Sequence, residues 1–182
     1  MKITETFIDS LKIIEPRVFE DGRGYFFESY SKEKFEQNNI FCDFVQDNES
    51  FSTFGVIRGL HYQLEPYAQT KLLRVVFGKI LDVAVDLRKN SPTFGKHFSI
   101  ELSSDNKKQL FIPKGFAHGF SVLSETVIVN YKCDSFYNKD AESGIFFADK
   151  DINIDWHLAE KYISLSEKDR LLPLLKDSIL NL

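Results

Sequence analysis

The sequence predicts an all-β sandwich or barrel with a few short peripheral helices. Three observations carry this. Leu81, Val83, Val85 and Leu87 alternate with Asp82, Ala84, Asp86 and Arg88, the period of two expected of a strand. Short apolar runs over 98–102, 109–112, 119–123 and 127–133 come next, separated by turn signals such as Asn90-Ser91-Pro92 and Pro113-Lys114-Gly115, a spacing that fits a sandwich or barrel. The chain also has 18 phenylalanines in 182 residues, bulk suited to filling the space between two sheets.

Near the start of the chain, Asp21-Gly22-Arg23-Gly24 reads as a turn, since glycine reaches positive φ without steric cost, and a strand is expected over 25–30. Residues 31–38 suit a short helix with Ser31 as N-cap. Gln46-Asp47-Asn48 is a polar cluster, read either as a loop or as the hydrogen-bonding rim of a ligand site. The segment 56–71 sets Arg58, His61, Gln63, Gln69 and Lys71 among strand-like apolar residues. A strand over 71–77 turns at Gly78-Lys79 into the alternating run. Near the end, 166–176 suits a helix interrupted at Pro173, because proline lacks the N–H that a helix interior needs. There are no repeats, linkers or low-complexity segments, and 182 residues can bury one full core, so a single domain over 1–182 is expected.

Composition excludes some partners. With 23 basic against 27 acidic residues and a net charge of −4, the chain lacks the basic excess that nucleic acid demands. No apolar run reaches the length of a membrane span, and the start MKITETFIDS is too polar for a signal peptide, so a cytoplasmic location is expected. Cys42 and Cys133 have no metal-ligand spacing and read as free thiols.

Several side chains have two readings. His61 is either a satisfied core histidine or a proton-transfer group, and Lys71, ten residues on, can stabilise negative charge such as an enolate oxygen. Arg23 is either a solvated turn residue or a guanidinium for a phosphate. Asp82 is either exposed or paired with a buried group, in which case it can orient a histidine. Tyr131 and Tyr137 are core or rim residues, or proton donors. Ser166 and Asp169 match a capping box, with Asp in the weaker place of Glu.

The run PKGFAHGF over 113–120 is a rigid turn leading to His118 on a strand, and it resembles the second motif of the cupin superfamily, whose fold is a jelly-roll barrel. The first motif of metal-binding cupins has a closely spaced histidine pair; this chain offers only His61 there, so no metal is expected. The stretches DGRGYFFESY (21–30), QDNES (46–50), GVIRGLHYQ (55–63), AQTKLLRVVFGKILDVAVDLR (68–88), SPTFGKH (91–97), IPKGFAHGFSVLS (112–124), YKCDSFY (131–137) and LSEKD (165–169) together resemble the dTDP-4-dehydrorhamnose 3,5-epimerase family across nearly the whole chain.

That resemblance implies proton removal and return at C3 and C5 of a dTDP-linked 4-keto-6-deoxyhexose, without a cofactor, in dTDP-rhamnose and cell-surface polysaccharide synthesis. It implies His61 as base with Asp169 as its partner, Asp82 as a further charge, Tyr131 as the opposed acid and Lys71 as the enolate stabiliser. The implied substrate contacts are Arg23, Glu28, Gln46, Asp47, Asn48, Arg58, Lys71, His118, Glu142 and Lys168. It also implies a homodimer in which N-terminal strands of residues 1–30 join the partner's sheet. His157, where relatives more often have proline after tryptophan, is expected at the surface. Rivals are a mono-epimerase acting at C3 or C5 only, and a non-catalytic cupin that binds a sugar nucleotide.

Overall fold

Backbone pairing turns the alternating runs into thirteen strands. The computed structural model describes residues 1–182. Its strands are β1 (Lys2–Glu5), β2 (Lys12–Glu15), β3 (Phe19–Asp21), β4 (Gly24–Phe26), β5 (Gln46–Thr53), β6 (Ile57–Gln63), β7 (Lys71–Phe77), β8 (Lys79–Asp86), β9 (His97–Ser103), β10 (Gln109–Ile112), β11 (Phe116–Val122), β12 (Thr126–Cys133) and β13 (Glu142–Gly144). A six-stranded antiparallel sheet runs β1-β2-β10-β7-β12-β5, and a five-stranded one runs β13-β6-β11-β8-β9. The fold is the expected jelly-roll β-sandwich. Helix is limited to α1 (Lys32–Glu36), α2 (Glu167–Arg170) and three short 3₁₀ turns. No helix is long and apolar enough to cross a membrane.

Between the sheets lies a core of Leu73, Val75, Val127 and Val129 from one side and Ile80, Ala84, Phe120 and Val122 from the other. A second core covers the outer face of the five-stranded sheet. There Leu81, Val83, Val85 and Ala117 meet Ile145, Ile152 and Trp156 of the C-terminal segment. Strand β8 is therefore buried on both faces. The face that looks polar in sequence, carrying Asp82 and Asp86, is the interior one, and its carboxylates are held by partners inside the sandwich. Asp86 takes hydrogen bonds from Arg88, Ser91 and Thr93; burial opposes its ionisation, but these donors bring its pKa down to about 2.

Four expectations need correction. The strand expected over 25–30 stops at Phe26, because β4 pairs only with β3 in an exposed two-residue-turn hairpin. Residues 46–48 are not a loop but the start of β5, fully paired with β12. The expected helix over 166–176 is only α2 and a separate 3₁₀ turn (Leu175–Asp177) on either side of Pro173. The phenylalanines do not fill the core, which is mainly Ile, Leu and Val. Only Phe35, Phe111, Phe116 and Phe120 are buried, while Phe7, Phe19, Phe26, Phe41, Phe51, Phe54, Phe77, Phe94 and Phe136 are exposed. Phe51 and Phe77 flank Ile128 on the outer face of the six-stranded sheet, an apolar surface left open at the β5 end. The other end of that face is closed by α1, whose Phe35 packs on Ile14, Leu72 and Phe111. Ser31 caps α1 as expected.

A close approach of two strands at Gly59 positions His61. The φ of Gly59 is +123°, and a Cβ there would lie 2.6 Å from the Cα of Gly119. Only glycine lets β6 press against β11 at this bulge, two residues before His61.

Candidate active site

At one end of the sandwich, inward-facing pairs two residues apart converge from neighbouring strands. Gln46 and Asn48 come from β5, His61 and Gln63 from β6, Tyr131 and Cys133 from β12, and Lys71 starts β7 with Gln69 just before it. Sheet register brings Cys133 opposite Lys71 and Gln46, and Tyr131 opposite Asn48. With Tyr62, Tyr137 and Glu142 they line a cavity of about 310 Å³.

His61 is the most exposed member of its ion pair, at 32% against 5% for the Asp169 side chain. Its Nε2 lies 2.6 Å from Asp169 Oδ1. Burial raises the cost of a charge on Asp169, but the bond and charge of His61, the Gly59 N–H and the Ser166 hydroxyl outweigh it and hold the carboxyl below its usual range. The Asp169 N–H bonds Ser166 Oγ at 3.0 Å, so Asp169 sits in the N-terminal cap of α2 while its carboxylate reaches His61. With a carboxylate on Nε2, the neutral ring carries its proton there and leaves Nδ1 as the basic atom.

Lys71 sits on the same wall. Burial lowers its pKa, while the charges of Cys133, Asp82 and Glu142 oppose the shift. Burial likewise raises Tyr131, with the Cys133 charge adding and Arg58 opposing, so its phenol keeps its proton at neutral pH. Cys133 is a buried free thiol pushed up to about 11, chiefly by burial, so it is neutral at neutral pH and its charge bears on Lys71 and Tyr131 only in alkali. At the mouth, Glu142 pairs with Lys168 and accepts the Tyr137 hydroxyl at 2.9 Å. Burial opposes ionisation of Glu142, yet Lys168, Tyr137 and the His61 charge hold its carboxyl below the usual range.

Other expected residues fall elsewhere. His118 is the cross-strand partner of His61, but it is buried behind the cavity wall with its Nε2 2.7 Å from Asp82 Oδ1. Asp82 is 0% exposed and its Oδ2 has no hydrogen-bond partner. Neither lines the cavity. Arg58 bonds Ser52 Oγ at 2.9 Å and the Phe51 carbonyl at 3.1 Å, beside the cavity but outside its lining. Strand alternation turns Asp47 away from Gln46 and Asn48, to an ion pair with Lys132 at 2.7 Å. Arg23 pairs with Asp21 on the exposed β3–β4 hairpin, and Glu28 pairs with Lys34 near α1. Within one chain neither meets the cavity. His157 is exposed as expected. Gln63, Gln69 and Cys133 were not among the expected site residues, although a step of two from His61, Lys71 and Tyr131 reaches all three; Tyr137, open in the sequence between core, rim and proton donor, stands at the rim.

A histidine–carboxylate pair, a cation and a neutral phenol thus gather around one polar cavity of a jelly roll, the groups that proton transfer calls for. The sequence profile of the dTDP-4-dehydrorhamnose 3,5-epimerases matches residues 5–177. The enzyme of that name from Shigella flexneri is 54% identical over 170 residues, covering 93% of each chain. The crystal structure of the dTDP-4-dehydrorhamnose 3,5-epimerase from Elizabethkingia anophelis superposes with a TM-score of 0.93 at 53% identity, covering 97% of each chain. A Legionella pneumophila 3,5-epimerase in complex with dTDP-4-keto-L-rhamnose gives a TM-score of 0.93 at 47% identity, covering 97% of this chain and 93% of that one. The chain belongs to the dTDP-4-dehydrorhamnose 3,5-epimerase family, a family of isomerases.

Proposed function

We propose that this protein converts dTDP-4-dehydro-6-deoxyglucose to dTDP-4-dehydrorhamnose, inverting C3 and C5 through enolates, as its family does. The observation that carries the reading is the convergence of the His61–Asp169 pair, Lys71 and Tyr131 on one cavity. Both carbons are α to the C4 ketone, so the ketone takes up the electron pair when a proton leaves. His61 Nδ1 removes the proton, and Asp169 stabilises the imidazolium that forms. Lys71 faces the developing charge on the C4 oxygen, where a preorganised cation in a dry site contributes most. Tyr131 returns a proton to the opposite face, and solvent resets both groups. The sequence balances with protons alone and needs no cofactor.

Glu142 and Lys168 at the mouth, with Gln46, Asn48 and Arg58, are the proposed sugar-nucleotide contacts. His118 and Asp82 act from behind the wall. The decisive experiment incubates enzyme and 4-keto sugar nucleotide in D2O and follows deuterium by NMR. Incorporation with inversion at both C3 and C5 is expected. Incorporation at one carbon alone makes the protein a mono-epimerase, and none at either removes the assignment.

We further propose one domain over 1–182 that works as a cytoplasmic homodimer. Two free cysteines fit a reducing compartment. The open apolar face around Phe51 and Phe77, and the hairpin that projects Arg23 among Phe19, Tyr25 and Phe26, support a second copy whose Arg23 completes the diphosphate site and whose Glu28 adds a further substrate contact. Mixing His61→Asn and Arg23→Ala proteins should then restore up to about a quarter of wild-type activity, because random pairing of two halves leaves one intact site per mixed dimer. An inactive mixture after subunit exchange rejects the shared site.

A further inference from the structure

Residues 135–138 cross from β12 to the 3₁₀ turn before β13 without pairing to any strand. Hydrophobic burial does not hold them, since Phe136 is 66% and Tyr137 55% exposed. Three glutamine side chains hold them instead, all lining the cavity and all bonding main-chain atoms. Gln69 Nε2 donates to the Ser135 carbonyl at 2.8 Å, and Gln63 Nε2 donates to the Phe136 carbonyl at 3.3 Å. Gln46 Oε1 accepts the Tyr137 N–H at 3.0 Å, and Gln63 Oε1 accepts the Asn138 N–H at 2.7 Å. Four consecutive residues are each caught by one amide group. The pattern needs glutamine's paired donor and acceptor: Gln63 uses both ends on one loop, and its Nε2 also reaches the Tyr67 carbonyl at 2.7 Å.

What the loop carries is Tyr137, whose hydroxyl bonds Glu142, which in turn holds Lys168. These three side chains form a clasp at the mouth of the cavity. The charge of Glu142 also reaches both His61 and Lys71, so the clasp is coupled to the proton-transfer groups. We propose that Gln63 and Gln69 are positioning residues: with Gln46 they fix the backbone of 135–138 and so set the Tyr137–Glu142–Lys168 clasp against which the sugar nucleotide binds. The inference rests on the epimerase reading for its substrate and extends it to residues that never touch the reacting carbons.

A double-mutant cycle with two readouts tests it. The variants are Gln69→Leu, Tyr137→Phe and their combination, and Gln69→Glu serves as a second clamp variant of unchanged shape that cannot donate to Ser135. For each, kcat and KM are measured with the 4-keto sugar nucleotide, and Kd for dTDP by titration calorimetry. Loss of one hydrogen bond predicts KM and Kd about fivefold higher for Gln69→Leu, with kcat within about twofold. In the Tyr137→Phe background the same change should have almost no effect, because the clamp acts only through the clasp. Equal factors in both backgrounds, a fall in kcat with unchanged KM, or no change at all would overturn the proposal. So would loss of the folded state in both Gln69 variants, since a clamp on a mouth loop is dispensable to the sandwich. The dTDP titration does not depend on turnover, so an inactive wild type would remove the epimerase reading while still deciding the clamp.

Discussion

Two histidine–carboxylate pairs sit side by side in this molecule, and only one of them faces a cavity. His61 and His118 are cross-strand neighbours on β6 and β11, and each bonds a carboxylate through Nε2, at 2.6 and 2.7 Å. The chemistry is the same; the surroundings differ. Asp169 comes from the C-terminal wrap and leaves the other nitrogen of His61 toward the cavity, whereas Asp82 comes from the next strand and lies wholly within the sandwich with His118. Pairing alone therefore does not make a base. In the proposed mechanism, what makes one is a free nitrogen with access to a ligand.

Breaking each pair in turn sharpens the contrast. His61→Asn removes the proposed base and should lower kcat by about 10⁴-fold, the upper range for general acid–base catalysis, with little change in Kd for dTDP; activity within tenfold of wild type would exclude His61 as base. Asp169→Asn keeps the shape but loses the charge that fixes the tautomer and steadies the imidazolium. A fall in kcat of about 10²-fold is expected. It should also alter stability against pH. The folded pKa of Asp169 lies below its unfolded value, so its contribution is present above the unfolded pKa and lost as pH falls through the folded one. Acid melts of the Asn variant should therefore show a shallower loss of Tm below about pH 4 than wild type; parallel curves would mean the pair adds no stability. His118→Asn should have the smallest effect on turnover, less than about tenfold at about 20 °C, and the effect should be on the fold instead. Leaving Asp82 buried without its partner costs about 3–5 kcal/mol, a fall in Tm of about 10 °C. A large kcat loss with unchanged Tm would move His118 into the substrate site.

The sequence made one half of this contrast legible. Period two revealed β8, and short apolar runs between turn signals revealed β7, β9, β10 and β12 nearly to the residue. Neither revealed β5, whose inward residues Gln46, Asn48 and Ser50 are polar since they line or approach the cavity, and whose outward residues are charged or aromatic. A strand polar on both faces looks like a loop. The same polarity hid which way Asp47 points. Phenylalanine content suggested a core, but its count does not distinguish a buried ring from one at an open sheet face. His61, Asp169, Lys71 and Tyr131, which the fold brings together, stood out in the sequence through family motifs. The glutamine clamp was not, because its contacts are to the backbone of a segment 66 to 91 positions away and leave no pattern in side-chain order.

The origin of Asp169 in the C-terminal wrap has a consequence for synthesis. Every strand and every cavity-lining residue precedes it in the chain, from Gln46 to Glu142. A polypeptide leaving the ribosome thus has the material for both sheets and an unpartnered His61 well before α2 emerges. The last turns of translation supply the carboxylate that bonds His61, so a chain cut short just before residue 169 carries every residue that lines the cavity and lacks the group that pairs with the histidine.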